Sequence, residues 1–441
     1  MKNPNANLSF NVLTYGCQMN VRDSEIISGL LQQKGYVEQS RPAADIVIFN
    51  TCSVRHSAEN KVYSKLGEYT KLKKSRPGMI VAFGGCMAQL PEVVTKVKQL
   101  GVDIVFGTHN LHELPRLIDE FQATRKRVVN VWQQQGEVIE DLPSYRKDDL
   151  SAFVNIMYGC NNFCSYCIVP YTRGRERSRH PRDIMAEVEQ LARSGFKEVT
   201  FLGQNVNSYG KGLDDNYDFA DLLAMADRIE GLERIRFTTS HPKDMSDKLI
   251  DTIAAGEKLC EHIHVPLQAG SNRILQGMNR GYTREHYLEL AAKMRSRIPG
   301  VAITSDLIVG FPGETEDDFL QTLDMVEKVR FDAAFTFLYS IRSGTRAAQM
   351  EGQLDLAVKK DRLLRLNDLQ YSIAAEINKA LEGTVQEVLV EGPSKTDQGK
   401  LTSRTRTNRI VIFSGAEDLI GKLINVRICR GKTFSLFGET I

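Results

Sequence analysis

Cys160, Cys164 and Cys167 stand within the run Met157-Tyr-Gly-Cys-Asn-Asn-Phe-Cys-Ser-Tyr-Cys-Ile168. This Cys-x3-Cys-x2-Cys spacing offers three thiolates to one metal centre and no obvious fourth ligand. A structural zinc site is closed by four protein ligands, whereas a cubane iron–sulfur cluster held by three keeps one iron open to a small molecule. Two plainer readings stand beside it: a zinc site completed by the distant His180, and three inert buried thiols. The apolar run Phe153-Val-Asn-Ile-Met157 reads as a buried strand, so the loop begins where that strand ends.

A second set of sulfurs has no local motif but a common position. Cys17, Cys52 and Cys86 follow predicted strands, in Thr14-Tyr-Gly-Cys17, Phe49-Asn-Thr-Cys52 and Phe83-Gly-Gly-Cys86. In an open parallel sheet, ligands collect outside the carboxyl ends of the strands, so three consecutive strand ends can bring these cysteines to one point. Gly16, Gly84 and Gly85 permit tight turns there. Again only three ligands are on offer, which favours an exchangeable iron; zinc or three unrelated buried cysteines are the alternatives. Cys260 and Cys429 read as core or incidental thiols.

The elements that must position these loops alternate along most of the chain. Over residues 8–124, Asn11–Thr14, Asp45–Phe49, Met79–Phe83 and Val102–Phe106 read as parallel strands separated by helical stretches such as Asp23–Lys34 and Pro91–Gln99. That alternation implies an open α/β layer. Residues 125–150 read as a polar linker. Residues 151–382 continue with strand candidates at Phe153–Met157, Glu198–Leu202, Arg234–Thr238, His262–Pro266, Ala302–Val309 and Ala333–Leu338. With helices between them, they suit a partial (β/α)6 barrel whose chemistry gathers at the strands' C-terminal ends. A long polar helix, Leu354–Glu382, leads away. Residues 383–441 change to short alternating strands, at Thr384–Val390, Arg409–Phe413, Leu423–Ile428 and Thr433–Phe437, which spell a small β-barrel.

Bulk properties narrow the function classes. The 441 residues carry a net charge of +2, which argues against bulk basicity as the means of holding nucleic acid. No secretory leader pattern and no bilayer-length apolar run is evident, so the chain is expected in the cytoplasm, with no membrane contact. There its eight cysteines suit metal ligation better than disulfides.

With both sulfur sets and a β tail, the chain closely resembles the methylthiotransferases of the radical S-adenosylmethionine superfamily. The likeness spans nearly all of it: an N-terminal methylthiotransferase domain, a radical core and a C-terminal TRAM domain. Tyr15-Gly-Cys-Gln-Met-Asn20 with Asp23-Ser-Glu25, Asn50-Thr-Cys-Ser-Val54 and Pro170-Tyr-Thr-Arg-Gly174 are similar to the branch acting on isopentenylated adenosine in tRNA. The branch acting on ribosomal protein S12 usually has Pro-Lys-Asn after its first cysteine, and the threonylcarbamoyl-adenosine branch Lys-Val-Asn, where this chain has Gln18-Met19-Asn20. These two branches are the enzymatic alternatives; a non-catalytic RNA-binding iron–sulfur sensor is the alternative of another class.

The resemblance implies two 4Fe-4S clusters, one on Cys160, Cys164 and Cys167 and an auxiliary one on Cys17, Cys52 and Cys86. It implies that S-adenosylmethionine serves both as methyl source and as radical source. It further implies a tRNA anticodon stem-loop as substrate, a low-potential electron donor, an iron–sulfur assembly or sulfur-donor protein as partner, and a monomer. An aromatic C–H bond has no acidic proton, so replacing it falls to cofactor chemistry while the protein positions the reactants. The target base must leave its stack, which favours a single-stranded loop.

Tyr166, before the last cysteine, is expected near the adenine of S-adenosylmethionine. Gln204, Asn205, Ser240, Gln268 and Asp306, from segments at or near strand ends, are candidates for its ribose or amino-acid end; satisfying local backbone is their plainer role. His241, before Pro242, reads as structural. Arg173, Arg175, Arg177, Arg179 and Arg182 follow the cysteine loop and suit a cofactor carboxylate or a phosphate, with a solvated salt-bridge network as the alternative. In the tail, Lys395, Lys400, Arg404, Arg406, Arg409, Lys422, Arg427, Arg430 and Lys432 face Asp397, Glu417 and Asp418, on a barrel that also carries Phe413, Phe434 and Phe437. Such a module suits phosphate-backbone contact with little sequence reading.

Overall fold

The computed structural model describes residues 8–39, 44–53, 56–136, 138–214, 216–395, 397 and 399–441. Val54, the last residue of the Asn50–Val54 motif, lies outside the described residues. The chain opens with β1 (Ser9–Thr14), β2 (Val37–Glu38), β3 (Ile46–Thr51), β4 (Ile80–Gly85), β5 (Ile104–Phe106) and β6 (Val128–Asn130). They form one parallel sheet in the order β2-β1-β3-β4-β5-β6. β3 and β4 are buried throughout because helices cover both faces. Side-chain alternation assigns the faces. Ile46 and Ile48 meet Ile27, Leu31, Leu117 and Phe121 of helices Gln18–Gln33 and Leu114–Thr124. Val47 and Phe49 meet Val62, Leu66, Val93 and Val97 of helices His56–Ser75 and Pro91–Gln99. β6 falls inside the stretch expected to be a polar linker. Its Val-Val-Asn is too short to display a period and is held as a strand by pairing with β5.

The second sheet system comprises β7 (Ser151–Asn155), β8 (Met157–Tyr158), β9 (Arg177–Ser178), β10 (Glu198–Leu202), β11 (Arg234–Phe237), β12 (His262–His264), β13 (Ala302–Val309) and β14 (Ala333–Leu338). Two parallel triplets, β11-β10-β7 and β12-β13-β14, are joined by the bridge Ile235–Leu259, giving a six-stranded partial barrel with β7 and β14 at its edges. β8 and β9 pair antiparallel and close the base of the loop that carries Cys160, Cys164 and Cys167.

After helix Leu356–Lys379 the chain forms β15 (Val385–Pro393), β16 (Leu401–Thr405), β17 (Ile410–Phe413), β18 (Leu423–Gly431) and β19 (Leu436–Thr440), a closed barrel in the order β15-β16-β17-β19-β18. β16 goes unseen in the sequence because its inward residues are Leu401, Ser403 and Thr405, one apolar and two small polar side chains.

The small barrel is docked on the partial barrel by arginines. Ile235 and Phe237 pack into the main core, so alternation points Arg234 and Arg236 the other way. Arg236 donates from Nε to Glu198 at 2.7 Å and from its two terminal nitrogens to the Arg406 and Thr405 carbonyls at 2.9 and 2.8 Å. Arg234, fully buried, donates to the Glu387 carboxylate at 3.0 Å. In return Arg406 pairs with Glu261 and Arg409 with Asp332. Arg404 is held by Glu391 of its own barrel. Three arginines expected on a phosphate-binding surface are thus spent on protein contacts.

A buried ion-pair network fixes the N-terminal sheet to the partial barrel. Glu187 accepts from Arg22 at 3.0 Å, Arg146 at 2.8 Å and Arg179 at 2.7 Å, while Arg146 also reaches Glu25 at 2.8 Å. Burial pulls the Glu187 carboxyl up, but Arg179, Arg22 and Arg146 outweigh it and hold it below the ordinary value. A depressed native value stabilises the fold above the unfolded-state pKa, about 4.3, and that contribution is lost as pH falls through the native value. Glu187→Gln is expected to cost about 3–5 kcal/mol, because three buried guanidinium groups lose their shared partner. Urea unfolding at neutral pH and near pH 3 checks both statements: the gap between variant and parent should shrink in acid.

Candidate active site

Cys17 is the N-cap of helix Gln18–Gln33, where free backbone amides favour a thiolate. A hydrogen bond from Cys52, then Arg173 and the amides of Asn20 and Met19, lower its pKa to about 6 against the opposing effect of burial. Cys52 follows β3 and Cys86 follows β4. The loops press on one another: a Cβ added at Gly16, whose φ is +133°, would stand 2.4 Å from the Cβ of Cys52. One at Gly85, φ +87°, would stand 2.4 Å from the Thr51 carbonyl oxygen. The structure therefore gathers Cys17, Cys52 and Cys86 at neighbouring strand ends of one sheet.

The other trio occupies the loop after β8. The Cys160 amide donates to the Gly174 carbonyl at 3.1 Å and the Cys167 amide to the Cys164 carbonyl at 2.9 Å, which folds the loop back on itself. Burial raises the Cys160 thiol, and burial with the neighbouring Cys164 pushes Cys167 up to about 12. Three thiolates packed this closely are costly unless a multiply charged cation core offsets them, so the donor set fits such a core. Among the described residues no group of three His, Cys, Asp or Glu side chains is arranged for a single metal ion. His180, the distant fourth ligand of the zinc reading, caps helix Pro181–Arg193, its Nδ1 accepting from the Arg182 amide at 3.3 Å.

Two buried arginines touch these sulfurs. Arg173 donates from Nε to Cys86 Sγ at 3.3 Å, and Arg280 from a terminal nitrogen to Cys164 Sγ at 3.3 Å. Arg280 also reaches the Pro266 carbonyl at 3.0 Å and lies 3.5 Å from the Tyr166 hydroxyl. Arg280 escaped the sequence reading; it sits in the turn Asn279-Arg280-Gly281 with no motif around it. Of the other arginines after the loop, Arg179 joins Glu140 and Glu187, Arg177 bonds the Gly136 carbonyl, and Arg182 stays exposed beside Asp183. The run is largely an internal network.

Tyr166, partly buried, packs against the apolar cluster that includes Ala269, Leu275 and Phe311. Beside the cysteine loop lie buried polar atoms without a protein partner: Gln204 Oε1, Asn205 Oδ1, Ser240 Oγ, His241 Nε2 and Gln268 Oε1. They belong to segments that leave β10, β11 and β12. Unpaired buried polar atoms are costly, so this set suits a polar ligand. His241 does play the structural part expected, its Nδ1 accepting from the Lys243 amide, yet its Nε2 is left over. Burial, then Arg280 and lysines, lower it to a pKa of about 2, so it is neutral. Asn205 is anchored through its amide nitrogen to Asp244 at 2.7 Å. Asp306 differs from the others: it lies within β13 and stands 3.6 Å from His264. Gln204 touches Met19 through its amide, so the candidate cofactor pocket abuts the helix that begins at Cys17.

A cavity of about 710 Å³ lies where the N-terminal sheet meets the cysteine loop, lined by Gln89, His109, Gln135, Tyr171 and Arg175 among others. Tyr171 is 54 % exposed, and the Arg175 guanidinium lies 4.3 Å from the centre of the Phe163 ring.

Known proteins carry the same assembly. Residues 154–326 match the Radical SAM superfamily, residues 9–107 the Uncharacterized protein family UPF0004, and residues 379–441 the TRAM domain. The chain is 69 % identical over 433 residues to the tRNA-2-methylthio-N(6)-dimethylallyladenosine synthase of Syntrophomonas wolfei subsp. wolfei, covering 98 % of this chain and 97 % of that protein. The chain belongs to the tRNA-2-methylthio-N(6)-dimethylallyladenosine synthase family. The synthase of the same name from Alkaliphilus oremlandii is 55 % identical and is covered to 94 % by the whole of this chain. Among solved structures, a radical S-adenosylmethionine methyltransferase, TsrM, from Kitasatospora setae superposes with a TM-score of 0.56 at 15 % identity, over 87 % of this chain and 77 % of that one. At that identity the likeness speaks for the fold alone.

Proposed function

We propose that this protein inserts a methylthio group at carbon 2 of N6-isopentenyladenosine beside the anticodon of tRNA. The observation that supports the reading is Arg173, six residues after Cys167, donating to Cys86 Sγ at 3.3 Å, in a chain of this family. Cys160, Cys164 and Cys167 hold one 4Fe-4S cluster, and Cys17, Cys52 and Cys86 the auxiliary one. When bound, the clusters and S-adenosylmethionine supply a carbon-centred radical and a methylated sulfur, which acid–base chemistry cannot provide.

The protein's own part is placement. Gln204, Asn205, Ser240, His241 and Gln268 turn otherwise unpaired polar atoms toward S-adenosylmethionine, and Tyr166 lies against its adenine. The neutral His241, whose Nδ1 already accepts from the Lys243 amide, can offer its Nε2–H without adding charge beside the sulfonium. Phe163, Tyr171 and Arg175 give a stacking surface suited to unpaired bases of a loop. The division at 8–124, 125–150, 151–382 and 383–441 then separates sulfur presentation, a strap, radical generation and RNA grip. A low-potential electron donor and a sulfur-donor or iron–sulfur assembly protein complete the cycle, with the enzyme acting as a cytoplasmic monomer. Among the described residues no helix is long and apolar enough to cross a membrane.

Mass spectrometry of tRNA nucleosides from a deletion strain tests the reading. Loss of 2-methylthio-N6-isopentenyladenosine, with N6-isopentenyladenosine accumulating, is expected; an unchanged methylthio level would sink it. Methylthio-threonylcarbamoyl-adenosine lost instead would transfer the substrate to the rival branch. On the small barrel, Lys400 and Lys432 place their ammonium groups 6.0 and 5.1 Å from the Phe437 ring. Changing both to alanine is expected to weaken tRNA binding and to reduce the slope of log affinity against log salt by about 1–2, as two phosphate contacts would. An unaltered slope in filter binding would remove this face from the RNA interface.

A further inference from the structure

Arg173 belongs to the radical-cluster segment, six positions after Cys167, yet its side chain ends inside the N-terminal sheet. It is 5 % exposed. Its Nε donates to Cys86 Sγ at 3.3 Å and a terminal nitrogen donates to Asp23 at 2.7 Å. Asp23 lies on helix Gln18–Gln33, whose N-cap is Cys17. One guanidinium therefore grips two of the three elements that carry the auxiliary cysteines. Just before it, Thr108 Oγ1, from the loop after β5, donates to the Thr172 carbonyl at 2.7 Å and pins the same short turn. The grip is directional: a guanidinium presents fixed, divergent N–H groups, so with one nitrogen committed to Asp23 the Nε–H is aimed at the sulfur.

We propose that Arg173 is a positioning residue for sulfur insertion, one that holds the Cys86 thiolate and sets the reduction potential of the auxiliary centre while fixing its separation from the radical centre. This rests on the assignment of Cys17, Cys52 and Cys86 to an iron–sulfur cluster. Three thiolates on a buried cluster leave excess negative charge, which grows on reduction. An N–H donated to a ligand sulfur offsets it and stabilises the reduced form, a recognised lever on cluster potential. Because the donor comes from the radical-cluster segment, any displacement of one centre relative to the other would break the bond.

The test uses the full chain with Cys160, Cys164 and Cys167 changed to alanine, so that only the auxiliary cluster is reconstituted, and follows its midpoint potential by EPR-monitored titration. Adding Arg173→Gln is expected to make reduction at least tenfold less favourable, about 59 mV for one electron. Arg173→Lys should fall between, retaining charge but losing the fork. In the chain with all six cysteines, Arg173→Gln should also lower the methylthio product formed per 5′-deoxyadenosine released. A potential and a product ratio equal to those of the Arg173 parent would overturn the proposal. Should Arg173→Gln shed the iron, Arg173→Lys decides: a lowered potential supports the proposal and the parental potential overturns it. If the Arg173 parent itself binds no iron, the auxiliary assignment has failed, a result distinct from an unchanged potential.

Discussion

Alanine at Cys160, Cys164 or Cys167 is expected to abolish release of 5′-deoxyadenosine from S-adenosylmethionine, a fall to the uncatalysed background that exceeds about 10⁶-fold. Removing one thiolate leaves two, too few to hold a cubane with one iron open. The loss should be one of chemistry and not of folding. The loop is tied by the Cys160–Gly174 backbone bond, by Ser165 donating to the Met278 and Gly277 carbonyls at 3.0 and 2.8 Å, and by the β8–β9 pair. None of these needs a sulfur. Chromatography of anaerobic reactions with dithionite reads the activity, and circular dichroism reads the fold. Residual turnover above background in a folded variant would move the radical site elsewhere.

Replacing Cys17, Cys52 and Cys86 together should eliminate methylthio product while 5′-deoxyadenosine still forms, within about tenfold of the parent rate, since the other trio is untouched. Iron content should fall by about half, as loss of one of two equal clusters requires. The packing explains why all three must act as a unit: Cys17 and Cys52 are hydrogen-bonded, and Cys86 is held by Arg173. Persistence of methylthio-tRNA in the triple variant, measured by nucleoside mass spectrometry, would end the two-centre scheme.

Much of this arrangement is written locally. The Cys160–Cys167 spacing and the alternation of strands with helices can be read directly, because hydrophobic period and loop geometry are short-range properties. Cys17, Cys52 and Cys86 are legible only through the rule that parallel strands aim their carboxyl ends the same way. Long-range pairing hides the rest. β6 exists because β5 offers it an edge, and β16 because a closed barrel needs its fifth strand whatever its polarity. Arg173 is visible in a motif, but nothing nearby says that it crosses to Cys86. Arg280 lies 116 positions from Cys164 and meets it only in three dimensions. The arginines after the loop and in the tail advertise a basic surface, yet most of their partners are carboxylates and carbonyls of distant segments.

Arg234 and Arg236 make the tail a stopper as well as an RNA module. They have the Glu387 carboxylate and the Arg404, Thr405 and Arg406 carbonyls as acceptors, all supplied by the small barrel. A chain truncated at Gly383 would strand the guanidinium of Arg234 without those acceptors and leave Arg236 with Glu198 alone, at the floor of the radical domain. Shortened enzyme that fails to turn over would therefore report a collapsed foundation before it reported a missing grip on RNA.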